Sequence, residues 1–349
     1  MVSCSFLCNA IAEKLEKLEK FPFSFSFLFL LLFACKGRQQ PAAGEAEAQP
    51  VAVEFCADSA MAYCAAQCAF GPRTMNSAAH DSCGEWIAGK FRQYGLEVIM
   101  QRADLRGWDG TQLRAVNIIA RLNPAATQRI LLCAHWDSRP WADNDPDEAN
   151  HHTPVMAAND GASGVAVMIE LARLLASPAL RNAIAEDCGI DFVCFDAEDY
   201  GTPSWSGKED EASWALGAQH FARNLPTPQP AHGILLDMVG GQGAKFYQER
   251  FSKDYAQSII DDVWRAAHDA GYGSHFPYQP GGYITDDHKP LIDAGIPTID
   301  ILPYYPDCEA SAFGPTWHTV SDDLAHLDKN TLKAVGQTLV QYLLGRPSL

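Results

Sequence analysis

Basic side chains are scarce: 26 Lys and Arg stand against 43 Asp and Glu in 349 residues, a formal charge of −17. A chain so short of cations is not built to grip a phosphate backbone, which excludes nucleic acid as its main partner. Also missing, despite 11 cysteines, are a CxxC pair and the Cys/His spacing of a structural zinc site, so metal binding by thiolates is excluded. No Pro-rich linker divides residues 55–349. What the chain has in quantity is apolar material. It is 47% hydrophobic and only 20% charged, enough for the core of one large α/β domain and too much for a disordered chain.

The N-terminal segment stands apart from that domain. Lys14, Lys17 and Lys20 precede an apolar run that ends at Ala34-Cys35, and the run is shorter than the roughly 20 residues a comfortable membrane span needs. Residues 1–34 are read as an export signal, with an uncleaved amphipathic or membrane helix as the alternative. Leu32-Phe33-Ala34-Cys35 resembles a bacterial lipoprotein box, which implies a lipidated Cys35 and a periplasmic or outer-membrane location. Membrane contact is then expected only through the signal or the lipid. Residues 35–54, rich in Pro, Ala, Gly and Glu, suit a disordered tether. Cys133 and Cys194 lie in apolar runs and read as buried small hydrophobes. Export permits disulfides without fixing a pairing. A monomer is expected.

From residue 55 onward helix and strand patterns alternate. Helical periodicity covers Ala57 to Ala69 and Asp81 to Tyr94, then about Gly161 to Leu175, Gly217 to Asn224, Asp254 to Ala270 and Lys329 to Leu344. Strand-like runs are Leu96 to Gln101, Ala115 to Leu122, Ile130 to Ala134, Ile190 to Phe195, Gly233 to Val239 and Thr298 to Leu302. The expectation is a single α/β domain with a mostly parallel or mixed central sheet flanked by helices. Ligands of such sheets gather at the carboxyl ends of the strands.

The polar residues fall at those ends. His135-Trp136-Asp137 follows one strand, Asp196-Ala197-Glu198-Asp199 another and Asp237 a third, while Asp160 opens a helix and His318 follows an aromatic loop. Asp160 alone reads as a helix cap. Several carboxylates converging on one rim repel one another unless a cation or shared protons compensate them. Zinc accepts imidazole nitrogen and carboxylate oxygen and leaves a position open for substrate, so a catalytic zinc is expected.

AHWDS at 134–138, NDGASGVAVMIELARLL at 159–175, FDAED at 195–199, ILLDMVG at 234–240 and WHT at 317–319 resemble the zinc-dependent exopeptidases. With YITDDHKPLIDAGIPTIDILP at 283–303 and FGPTWHTVSDDLAHLD at 313–328, the chain is most similar to glutaminyl cyclases of the animal and bacterial type. The resemblance implies a catalytic domain over 55–349 with the zinc exopeptidase fold. It also implies an enzyme that converts the N-terminal Gln of peptides and proteins to pyroglutamate and releases ammonia. One zinc is expected, on Asp160, Asp199 and His318. Asp199 departs from the animal pattern, which has a Glu there, and its shorter arm must bring the backbone closer to the metal.

By the same resemblance Glu198 is the acid/base residue, and Asp286 and Asp237 share an acidic network with it. Otherwise Asp286 and Asp287 are ordinary loop or cap residues before Lys289-Pro290. Trp317 and Phe313 line the substrate pocket, and one of Trp205 and Trp214 closes it. Asp300 stands where animal enzymes carry His. The strongest rival is a two-zinc aminopeptidase, with His135, Asp137 and Asp237 as second-metal residues beside a bridging Asp160. A non-catalytic binding protein of the same fold is the remaining alternative.

Overall fold

The computed structural model describes residues 51–345 apart from 181, 182, 186 and 209. The expected signal, Cys35 and most of the tether lie outside the described residues. Six strands form one sheet: β1 (Glu97–Arg106), β2 (Gln112–Leu122), β3 (Gln128–His135), β4 (Cys188–Phe195), β5 (His232–Leu236) and β6 (Thr298–Ile301), in the order β1-β2-β4-β3-β5-β6. The first two pairings in that order, β1 with β2 and β2 with β4, are antiparallel. The remaining three are parallel. The sheet is therefore mixed, as expected.

Among the described residues seven α-helices cover it: α1 (Ala57–Cys68), α2 (Ala78–Gln93), α3 (Ala162–Leu175), α4 (Leu216–Arg223), α5 (Arg250–Asp269), α6 (His288–Asp293) and α7 (Lys329–Leu344). Strand parity divides them between the two faces. Ile130, Leu132 and Ala134 of β3 join the large core under α1, α2, α3, α5 and α7. Leu131 and Cys133 point the other way, onto Ala218 and Phe221 of α4 and Leu291 of α6. A central strand apolar on both faces reads as a continuous run, which is why β3 and β4 show no alternation. All eight described cysteines are free, Cys133 and Cys194 among the buried ones.

Several boundaries differ from the sequence pattern. The run expected to continue to Val239 ends at Leu236, because Met238 takes a left-handed φ of 50° and turns the chain at Asp237. β1 continues to Arg106 and β2 starts at Gln112, since the pair forms a twisted hairpin in full register from Glu97↔Arg121 to Arg106↔Gln112. α5 begins four residues early, its amides at Phe251 and Ser252 capped by Glu249. α6 was not expected at all. Among the described residues no helix is long and apolar enough to cross a membrane.

β3 lies between β4 and β5, so the chain leaves it in one direction to β4 and returns on its other side at β5. That reversal opens a crevice beyond the carboxyl ends of the strands. His135 is the last residue of β3, Glu198 lies just past β4 and Asp237 just past β5.

Candidate metal centre

The turn before α3 places the first carboxylate. Gly161 has φ 95°, and a Cβ there would lie 2.7 Å from the Asp137 carbonyl oxygen and 3.1 Å from His135, so only glycine lets Asp160 come this close to β3. Asp322 fixes the same turn, accepting from the amides of Asn159 at 2.8 Å and Asp160 at 3.0 Å. Burial and the neighbouring Asp160 push the Asp322 carboxyl up to about 7.

After β4 the chain bends sharply at Ala197, φ 52°. Asp196 is spent on that bend, accepting from His80 at 2.9 Å and from the Val116 and Ala197 amides at 2.6 and 2.9 Å. Glu198 and Asp199 follow, their amides donating to the two oxygens of Asp137 at 3.1 and 3.2 Å. His318 also has a left-handed backbone, φ 54°. Strained non-glycine residues thus sit at Ala197, Met238 and His318, each at or beside a residue expected to act.

The three expected ligands converge. His318 Nε2 is 3.1 Å from Asp199 Oδ1 and 3.7 Å from Asp160 Oδ2. Donor atoms about 2.0–2.2 Å from a tetrahedral ion stand about 3.3–3.6 Å apart, close to these values. Both Asp199 oxygens are buried and accept no hydrogen bond among the described residues. A buried carboxylate left without donors fits a cation, so the residues present suit zinc. The shorter Asp199 arm reaches because Asp137 pins its backbone.

Two residues that the sequence reading missed shape the same corner. Asp143 Oδ1 lies 3.5 Å from His318 Nδ1, which turns Nε2 towards the other ligands. Burial opposes the charge of Asp143, yet His318 and Arg139 hold its pKa below the ordinary carboxylate range. Arg139 bonds Asp143 at 2.7 Å, approaches Asp199 at 3.6 Å and lies 4.5 Å over the Trp214 ring.

A second grouping adjoins the first. His135 Nε2 bonds Asp160 Oδ1 at 2.9 Å and lies 3.3 Å from Asp237 Oδ1, while its Nδ1 is 3.8 Å from Glu198 Oε2. These donor sets, His135/Asp160/Asp237 and Asp160/Asp199/His318, share Asp160. Asp137 lies 3.6 Å from His135 Nδ1, its oxygens committed to the 198–199 amides.

Charge in this space is poorly compensated. Burial, then Asp199, Asp286 and Asp287, push Glu198 well above the ordinary carboxyl range against the pull of His135. Burial, Asp286 and Asp160 raise Asp237 to about 7, and burial also raises Asp286. Behind them Asp300 is fully buried and faces His288 Nδ1 at 3.7 Å.

The aromatic residues divide. Trp317 stacks on His318 at 3.8 Å with Phe313 against it at 4.9 Å, and Trp214 lies parallel to His318 at 5.9 Å. Trp205 is not brought to the site. It is exposed and packs on Trp141, His151 and His152.

Residues 117–343 match peptidase family M28. The chain belongs to that family. Within it, the chain is 48% identical to a glutaminyl cyclase of Bacteroides thetaiotaomicron, with a TM-score of 0.80 over 84% of this chain and 99% of that one. It is 26% identical to the glutaminyl-peptide cyclotransferase of Bos taurus, over 65% of this chain and 65% of that protein, a little under two thirds of its length. It is also 28% identical to aminopeptidase YwaD of Bacillus subtilis, over 72% of this chain and 49% of that protein. The fold and the family seen in the motifs are confirmed, and the chain is an M28 enzyme related to glutaminyl cyclases.

Proposed function

We propose that this enzyme is a glutaminyl-peptide cyclotransferase, closing the N-terminal Gln of peptides and proteins into pyroglutamate and releasing ammonia. The observation that carries the reading is Glu198, a half-buried carboxyl of raised pKa beside the donor set Asp160, Asp199 and His318. In this reaction the α-amine attacks the side-chain amide of the same residue, so proximity comes largely from the substrate itself. The amine must lose a proton and the departing nitrogen must gain one. Glu198 does both, and a raised carboxyl suits a group that takes and returns a proton near neutral pH.

Asp237 and Asp286 carry like charge beside Glu198, so the group shares protons and favours the return step. Trp317, Phe313 and Trp214 form walls that exclude water and hold the apolar part of the Gln side chain. Asp160, Asp199 and His318 would hold a zinc ion, which would supply Lewis-acid polarisation of the amide carbonyl.

The second reading is a two-zinc aminopeptidase, supported by the adjoining His135/Asp160/Asp237 set. There Glu198 would activate water instead of moving a proton between substrate nitrogens. The experiment that separates them is product analysis with a Gln-initiated peptide. Ammonia with the peptide chain intact supports the cyclase, and a liberated N-terminal residue refutes it. Export through residues 1–34 and lipidation at Cys35 remain part of the proposal.

A further inference from the structure

Next to the metal centre, α4 and α6 border a groove of about 660 Å³. Trp214, parallel to His318, lines it together with Thr285, the residue before Asp286. Phe251 supplies an apolar wall. The groove therefore shares Trp214 with the place where the first residue of a peptide would sit.

Glu211, Arg223, Lys289 and Asp293 are its charged lining residues, and Arg223 closes α4. Lys289 is paired with Asp293 at 2.6 Å. The Arg223 guanidinium is exposed and has no ion pair or hydrogen bond among the described residues.

Distance connects Arg223 to the site. The amides of Ala215 and Leu216 donate to the carbonyls of Glu198 and Ala197, both at 3.1 Å, so α4 starts on the backbone of the acid/base residue. Its eight residues carry the chain about 12 Å to Arg223. An extended peptide advances about 3.3 Å per residue, which spans that length in three to four residues.

We propose that this groove receives the part of the substrate peptide that follows its N-terminal residue, and that Arg223 selects Asp or Glu at about the fourth position. The inference rests on the reading that a peptide N-terminus docks at the metal centre. The ion pair forms at an exposed site, so its effect is modest and falls with salt.

The test compares zinc-loaded enzyme on Gln-Ala-Ala-Ala-Ala and on peptides with Glu at the third, fourth or fifth position. Glu near the fourth position should lower KM about two- to fivefold at low ionic strength, with kcat unchanged. The Glu-to-Ala ratio should fall to one in Arg223→Gln and recover in Arg223→Lys. Because each ratio is taken within one variant, a loss of stability does not mimic the effect. A ratio of one in the unmodified enzyme, or a ratio that survives in Arg223→Gln, overturns the proposal. If the product proves to be free Gln, the cyclase reading fails, yet the same ratio still decides the groove, because both reactions begin at the N-terminus.

Discussion

Asp137 spends both its carboxylate oxygens on the backbone just beyond β4, accepting the amides of Glu198 at 3.1 Å and Asp199 at 3.2 Å. It therefore sets the position of the proposed base and of one proposed ligand together. In Asp137→Asn one acceptor becomes an NH2 group that faces an amide N–H. Zinc affinity should fall about 10- to 100-fold, read by competition with a chelator, with far-UV circular dichroism retained. Undiminished affinity would show that Asp137 does not position the centre.

Gly161 offers a test of the turn that delivers Asp160. Ala at φ 95°, with its Cβ 2.7 Å from the Asp137 carbonyl oxygen, should destabilise the chain by about 1–3 kcal/mol or more. Thermal unfolding of Gly161→Ala should show a drop of several degrees together with weaker zinc binding. A melting temperature equal to that of the parent would mean that the turn relaxes without cost.

These two residues illustrate how far the sequence could be read. Asp160, Glu198, Asp199 and Asp237 were legible because each follows an apolar run or opens a helix, and strand ends of a parallel sheet meet on one rim, whereas His318 follows an aromatic loop and was placed by the family resemblance. Asp143, Arg139 and Asp322 were not legible. They reach the site by hydrogen bonds and ion pairs to residues tens or hundreds of positions away, and such partnerships leave no local pattern. α6 escaped because six residues are too few to show a helical period. Trp205 and Trp214 were indistinguishable in the sequence because both lie in an irregular loop; only the fold puts one beside His318 and the other on Trp141.

The buried charges make a pH prediction for the metal-free protein. Asp237 and Asp322 are raised to about 7, so the folded state holds their protons where unfolded Asp, with a pKa of about 3.9, has lost them. His135 is raised against its burial by Asp137, Asp160 and Asp237, and His318 against its burial chiefly by Asp199. Their stabilising protons are present below the unfolded His value and are lost as pH rises through the folded one. Both effects have the same sign: the folded state binds more protons, so stability falls between about pH 5 and pH 8. Zinc on Asp160, Asp199 and His318 would displace the His318 proton and its charge would disfavour the others nearby, so the increase in melting temperature on adding it should be larger at pH 8 than at pH 5. An increase independent of pH would contradict the assignment of charge.

Glu198 can be tested apart from the metal. Glu198→Gln keeps the shape of the side chain but cannot accept the amine proton, so turnover should fall by at least about 100-fold while the zinc content of the purified protein stays at the parent value. Activity within a few-fold of the parent would remove Glu198 as the proton carrier.

The most direct measurement is mass spectrometry of a Gln-initiated peptide after incubation with the zinc-loaded enzyme, with ammonia assayed in the same sample. The account predicts one product, lighter than the substrate by the mass of ammonia and otherwise intact, formed in step with the ammonia released. A peptide shortened by its first residue, with free Gln in solution, would contradict it.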